Sequence, residues 1–257
     1  VLRDERMNRI LGALKGGQTR RTSELAAAFG VSEMTLRRDL DYLDAAGLIR
    51  RLRGGAVGLE GGDPGFGRRA QQNTGEKRRI GRAAAALVQP GASIYLDAGT
   101  TALEVGRALV ERARTDPTFT ARITTPAVNI GAELAGIDTL KVHQLGGQID
   151  PTTMAVTGAT LVHDLGQMNF DLFFMGITGI DPDRGLTNSS PFGVEAKRTA
   201  LARTRETWVV ADHGKWRQIS AYQVAALGDV AGLIVDVDPA DPLLGEMAAA
   251  LPAVRPA

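Results

Sequence analysis

Apolar positions in the first part of the chain repeat at helical spacing and are broken at short intervals. Met7, Ile10, Leu11 and Leu14 follow one helical face and stop at Gly16-Gly17. Leu25 and Phe29 mark a second, short helix, whose start either Thr22 or Ser23 can cap. Gly30 is free to take the left-handed conformation of a tight turn, and Ser32 caps a third helix over Glu33 to Ala46, ended by Gly47. Leu36, Leu40 and Leu43 form its inner face, and Thr35, Arg37, Arg38 and Asp39 stand away from that face. Leu48 to Val57 alternates enough for a short hairpin carrying Arg50, Arg51 and Arg53.

The pattern then changes. Gly54 to Gly67 contains seven glycines and one proline, a composition that resists regular structure and reads as the end of a head and the start of a linker. Beyond it a helix opens at Glu76 and runs to Val88, stopped by Pro90-Gly91. Short apolar runs follow at Ala92–Asp97, Arg122–Thr125, Leu140–Leu145, Phe170–Met175, Glu206–Ala211 and Gly232–Asp236, with helical patterns between several of them. Strands alternating with helices predict a largely parallel sheet covered on both faces. The expected organisation is a small helical head over residues 1–57, a linker over 58–75 and an α/β, Rossmann-like body over 76–257. Ala248 to Ala257, rich in Ala and Pro, is expected to fray.

Charge sharpens the division. Residues 1–57 hold 11 Lys/Arg and 7 Asp/Glu, a net of +4, whereas residues 58–257 hold 19 and 22, a net of −3. A basic head on an acidic body suits a phosphate-binding module attached to something else, although scattered surface charge also produces such numbers. Cysteine is absent, which removes disulfides, thiolate metal sites and cysteine nucleophiles and fits a reducing compartment. Three widely separated histidines argue against a zinc site, so no metal or cofactor is expected. The longest apolar run, Ala83 to Val88, is too short to span a membrane, and the charged start shows no leader-like stretch. The expectation is a soluble, cytoplasmic protein.

Two short helices joined by a glycine turn, the second capped by serine and carrying adjacent arginines, suit insertion into a DNA major groove. Arginine forks grip guanine O6/N7 or phosphate, and the exposed N-terminus at Ser32 and Thr35 favours a phosphate oxygen. Arg50, Arg51 and Arg53 lie along the backbone as a basic wing. The bland reading is a three-helix bundle with solvated arginines. Cap, turn glycine, double arginine and basic hairpin occur together here, which favours double-stranded DNA as a partner.

In the body, Asp97 ends one strand and Gly99-Thr100-Thr101 leads into a helix, a geometry in which backbone N–H groups and two hydroxyls converge on an anion. The alternative is a turn with helix-capping threonines. Asp97 is placed to accept sugar hydroxyls in the crevice where α/β proteins bind ligands. Lys215 offers an ammonium to phosphate, or to Asp212 in an empty pocket. Lys197 is a second candidate, unless it pairs with Glu195 or solvent. His213 is expected to pack its ring against a neighbour, Trp208 to lie in the core and Trp216 at the pocket edge.

These residues carry a resemblance. Thr22-Ser23-Glu24-Leu25-Ala26, Val31 to Leu40, Gly47-Leu48-Ile49-Arg50-Arg51 and Gly54-Gly55-Ala56 resemble the signature of the DeoR family of bacterial transcriptional regulators, with Arg53 where many members carry His. In the body, Asp97-Ala98-Gly99-Thr100-Thr101, Leu145-Gly146-Gly147, Gly176 to Ile180, Leu186-Thr187 with Glu195 and Lys197, and Ala211-Asp212-His213-Gly214-Lys215 resemble the family's loops. The family's Thr-Asn at the end of the next strand is replaced by Thr125-Pro126, with Asn129 later, which puts an amide contact from that loop in doubt. The resemblance implies a winged helix–turn–helix head and a sensor body similar to sugar-phosphate isomerases. It also implies control by a phosphorylated sugar, with a repressor as the expected form, and two DNA half-sites need two heads, so a homodimer or homotetramer is expected. The implied effector residues are Asp97, Gly99, Thr100, Thr101, Thr125, Gly146, Gly147, Gly176, Glu195, Lys197, Asp212 and Lys215. The competing reading is an active sugar-phosphate isomerase or deaminase with a DNA-binding appendage, for which Asp97, Asp212 and Glu195 supply carboxylates.

Overall fold

A computed structural model describes residues 6–7, 9–10, 13–14, 18–45, 49–58, 65–150 and 153–257. The chain divides into two compact units, residues 1–72 and 73–257.

In the first unit Met7, Ile10 and Leu14 are buried with Leu25, Leu36, Leu40 and Leu43 in one apolar cluster. Leu11, Gly16-Gly17 and Ala46 to Leu48 lie outside the described residues. Helix Thr22–Phe29 ends at Gly30, whose φ of 65° and ψ of 36° let Val31 N donate to Ala26 O at 3.1 Å and close the helix end. Ser32 caps helix Glu33–Ala45 by accepting from Thr35 N at 3.1 Å. Strands β1 (Thr19–Arg21), β2 (Ile49–Leu52) and β3 (Gly55–Gly58) form an antiparallel sheet in the order β1-β3-β2.

Three expectations for this unit need correction. Neither Thr22 nor Ser23 caps the second helix: Arg21 is the N-cap and the helix starts at Thr22. The wing turn satisfies the helix start instead, because Thr22 N donates to Gly54 O at 2.9 Å. Asp39 is buried at 3 % exposure and forms an ion pair with Arg6 at 2.6 Å. It lies three residues after Leu36 and four before Leu43, so helical geometry puts it at the edge of the apolar stripe. Residues 65–71, read as linker, form helix Gly65–Gln71, because Arg68 to Gln71 are good helix formers that outweigh Gly65 and Gly67.

In the second unit the six expected strands form, as β4 (Ser93–Leu96), β5 (Ala121–Thr125), β6 (Leu140–Gln144), β9 (Phe170–Gly176), β12 (Thr204–Val210) and β14 (Gly232–Val235). Between them run the hairpin β7 (Gln148–Asp150) and β8 (Ala155–Thr157), and a three-stranded sheet of β10 (Gly179–Asp181), β11 (Gly185–Asn188) and β13 (Tyr222–Ala225). With β15 (Val254–Pro256) the main sheet has the order β15-β14-β12-β9-β4-β5-β6, parallel at every step. From β4 the chain builds toward β6 on one side and toward β15 on the other. The carboxyl ends of β4 and β9 therefore flank a topological switch point, where such sheets open a crevice.

The tail does not fray. Ala248 to Ala250 finish helix Pro242–Ala250, and β15 pairs with β14 through Leu233 with Val254 and Val235 with Pro256. An edge strand tolerates proline because one side of its backbone needs no partner. Arg255 lies over the Trp208 ring, 4.8 Å from its centroid, and helps hold this strand.

Helix Thr74–Ala86 packs closely on helix Thr100–Thr115, which starts just after β4 and Asp97. A Cβ on Gly81 would lie 2.5 Å from Glu104 O, so only glycine permits this backbone approach. Arg112 donates to Ala85 O at 2.9 Å and Val88 O at 2.7 Å, satisfying carbonyls at the neighbouring helix end.

Candidate effector crevice and nucleic-acid interface

The DNA-reading candidates sort by what already holds them. Arg38 is exposed on helix Glu33–Ala45 and makes no ion pair among the described residues. Arg37 is exposed too, but pairs with Glu33 one turn back at 3.2 Å. Such a solvent-exposed pair contributes only about 0.3–0.5 kcal/mol and yields readily to a better partner. Ser32 and Thr35 spend their hydroxyls on each other at 2.9 Å, fixing the start of this helix. On the wing, Arg50 and Arg53 have no carboxylate partner among the described residues, whereas Arg51 pairs with Asp41 at 3.1 Å. The sequence reading missed β1, which adds the exposed Arg20 and Arg21 beside β3. Three polar residues carry no alternation from which to find such a strand.

At the switch point Asp97 is buried and anchored on both oxygens. Oδ1 accepts from Ala98 N at 2.8 Å. Oδ2 accepts from Gly176 N at 3.0 Å, at the end of the adjacent strand, and from Lys197 Nζ. Lys197 sits on helix Val194–Ala202 and is buried at 7 % exposure. It therefore pairs with Asp97, a hundred residues away in sequence, and not with Glu195, which is exposed. A Cβ on Gly176 would be tight, 3.0 Å from Ala98 O and 3.6 Å from Asp97 Oδ2.

Next to this cluster Gly99, at φ 117° and ψ 171°, turns the chain into helix Thr100–Thr115. Leu103 N donates to Gly99 O at 3.0 Å, so the N–H groups ahead of it point out of the helix end. Thr100 and Thr101 are buried, yet their hydroxyls have no partner among the described residues. They do not cap the helix.

Other candidates have structural duties. Thr125 is fully buried, and its hydroxyl accepts from Ala127 N at 3.1 Å. Gly147, at φ 146°, lets its backbone pass β8, since a Cβ would lie 2.7 Å from Thr157 O. Gly146 is exposed beside it. Asp212, buried beyond the end of β12, accepts from Asn73 Nδ2 at 3.2 Å. Lys215 follows on the turn His213–Lys215 and has no ion pair among the described residues, so it does not pair with Asp212. Asn188 lies near Lys197: a Cβ on Gly193 would be 3.6 Å from Asn188 Nδ2 and 3.8 Å from Lys197 Cε.

His213 is hydrogen-bonded and not packed by its ring. Its Nδ1 lies 2.8 Å from Asp236 Oδ2, and its backbone N donates to Asp236 Oδ1 at 2.7 Å. The Asp236 hydrogen bond, with smaller help from the charges of Asp212 and Glu76, raises the imidazole above its ordinary value, while burial works against it. This contribution to stability is full below the unfolded value of about 6.5 and fades as pH rises through the raised folded value. The His213 side chain is 53 % exposed, so screening keeps the effect below about 1 kcal/mol. Thermal melts of His213→Gln should fall below wild type at pH 5.5 and converge on it by pH 9. A gap independent of pH would remove the ion pair from the account. Trp208 lies in the core, and Trp216, also buried, donates to Glu246 at 2.8 Å.

A helix–turn–helix with a three-stranded wing, carried on the same chain as a parallel α/β body whose Asp97–Lys197 pair lies at the switch point of its sheet, defines a DNA-binding regulator with a separate sensing unit. A model of the DeoR-like helix-turn-helix domain matches residues 6–60, and one of the DeoR C terminal sensor domain matches residues 72–237. The chain belongs to the DeoR family. The transcriptional repressor AccR of Agrobacterium fabrum is 32% identical over 235 residues, covering 90% of this chain and 89% of that protein. The HTH-type transcriptional regulator GlpR of Haloferax volcanii is 32% identical over 238 residues, covering 92% and 91%. The glycerol-3-phosphate regulon repressor of Escherichia coli is 29% identical over 237 residues, covering 91% of each. Among solved structures, ribose 5-phosphate isomerase A of Methanocaldococcus jannaschii is similar with a TM-score of 0.42 and 18% identity, over 56% of this chain and 55% of that one. No helix among the described residues is long and apolar enough to cross a membrane.

Proposed function

We propose that this chain is an operator-binding repressor of a sugar or carbohydrate-metabolism operon, released from DNA by a phosphorylated sugar held in the switch-point crevice. The observation that carries the reading is Asp97, fixed by Ala98 N, Gly176 N and Lys197 beside a helix start with two unpartnered threonine hydroxyls. The helix end takes the phosphate, with Thr100 and Thr101 completing its hydrogen bonds. Lys215, with no ion pair among the described residues, adds the countercharge. The Asp97–Lys197 pair orients the sugar hydroxyls.

The crevice senses without turnover. Asp97 receives three donors and is poorly placed to take a substrate proton, and relatives along nearly the whole chain are repressors. Two heads are needed for two half-sites, so the working form is a homodimer or homotetramer. Release requires the sugar to favour one arrangement of the heads over another.

The test is fluorescence anisotropy on promoter DNA with ribose 5-phosphate, glycerol 3-phosphate and glucosamine 6-phosphate. Lys215→Ala should bind DNA as wild type does and no longer respond to the sugar phosphate that releases wild type. Release of the variant at the same concentration would take Lys215 out of the site.

A further inference from the structure

We propose that the body carries a second anion site, at the opposite end of its sheet from Asp97, for a small ligand bearing two or more phosphate groups. A groove of about 580 Å³ there is lined by Ser93, Arg122, Asn169, Asp171, Arg203 and Arg205. An adjoining groove of about 350 Å³ shares Ser93, Arg122 and Asn169 and adds Lys141 and His143. Apart from His143, which lies toward the other end of β6, these residues lie at or near the amino ends of β6, β5, β4, β9 and β12, the end of the sheet opposite Asp97. Small-molecule sites are clefts of roughly 300–1,000 Å³, the range in which these two grooves fall.

The register explains the concentration of charge. Lys141 pairs with Arg122, and Arg122 with Ser93, on adjacent strands. Asp171 and Arg205 fall opposite each other between the paired Phe170/Thr204 and Leu172/Glu206. Residues opposite one another in a sheet share a face, with strands about 4.8 Å apart. Four cations and one carboxylate thus gather at one end of five neighbouring strands, on a stretch of chain whose net charge is −3.

The single carboxylate is already engaged. Asp171 Oδ2 accepts from Ser93 N at 2.9 Å, and Oδ1 lies 3.9 Å from Arg205. The side chains of Arg122, Lys141 and Arg203 have no ion pair or hydrogen bond among the described residues. Like charges directly opposite, as at Lys141 and Arg122, destabilise a sheet unless something neutralises them. Guanidinium forks match phosphate oxygens in pairs. The cations span several strand spacings, more than one phosphate can bridge, and a diphosphate meets more of them together.

Isothermal titration of the full chain with inorganic pyrophosphate, and separately with orthophosphate, tests this. Wild type should bind pyrophosphate about tenfold or more tightly than orthophosphate, with an affinity that falls as salt rises. Arg122→Gln/Arg203→Gln should lose that binding by about tenfold or more, and Lys215→Ala should keep it. Both arginines are exposed, and without pyrophosphate Arg122→Gln should melt no lower than wild type, which guards against a folding artefact. Equal binding by the double variant, or loss in Lys215→Ala instead, overturns the proposal. So does a double variant that binds promoter DNA more weakly while its pyrophosphate binding is unchanged, since the row would then serve nucleic acid.

Discussion

Replacing Lys197 with methionine is expected to destabilise the protein by about 3–5 kcal/mol, the usual cost of leaving one partner of a buried ion pair alone. Asp97 would then keep only the N–H groups of Ala98 and Gly176. In a unit of this size that corresponds to a fall in melting temperature of roughly 6–20 °C. Asp97→Asn strands the ammonium in the same way. The double variant Asp97→Asn/Lys197→Met removes both charges and should recover most of the loss, because a neutral pair of similar volume carries no uncompensated charge. It should not recover ligand response, which needs both groups in place. Thermal melts of the four proteins check this, and additive losses in the double variant would show that the two residues do not act as a pair.

The second large effect is expected at the head. Arg38→Ala and Arg37→Ala should each weaken promoter binding by about 1–3 kcal/mol, the cost of one lost base contact. That is roughly 5- to 150-fold in affinity. Arg38 is exposed and has no ion pair among the described residues, so its loss should leave the melting temperature of the free protein unchanged. Breaking the exposed Arg37–Glu33 pair should change it only slightly. Arg50→Ala and Arg53→Ala should instead weaken binding to all sequences alike and lower the salt dependence by about one counterion each. Competition anisotropy with promoter and unrelated DNA separates the two behaviours. An Arg38→Ala protein with wild-type promoter affinity would take that residue out of the interface.

Local chemistry made much of this legible. Gly30 and Ser32 announce a turn and a cap through their own backbone needs, and Leu36, Leu40 and Leu43 are all buried. The short apolar runs became the parallel sheet because fully covered strands need little else to mark them. Asp97 at a strand end and the Gly99-Thr100-Thr101 turn pointed to the crevice.

What escaped the sequence depends on distant partners. Nothing near Lys197 signals Asp97, and the closer Glu195 is the natural guess. Asp39 looks like a surface carboxylate until Arg6 is packed against it. His213 finds Asp236 across two strand ends, and β1 and β15 exist only because β3 and β14 offer free edges to short, weakly patterned segments. The hydroxyl of Thr125, expected at the effector, also holds the turn at Ala127 by accepting from its N–H.

The proposed function requires one chain to couple DNA binding to occupancy of the site at Asp97. Fluorescence anisotropy with DNA from just upstream of the chain's own gene tests it most directly, at two salt concentrations and with ribose 5-phosphate, glycerol 3-phosphate and glucosamine 6-phosphate. Tight, salt-sensitive binding weakened by one of the three is the predicted result. No specific binding, together with turnover of ribose 5-phosphate or glucosamine 6-phosphate, would contradict the account and make the body an enzyme.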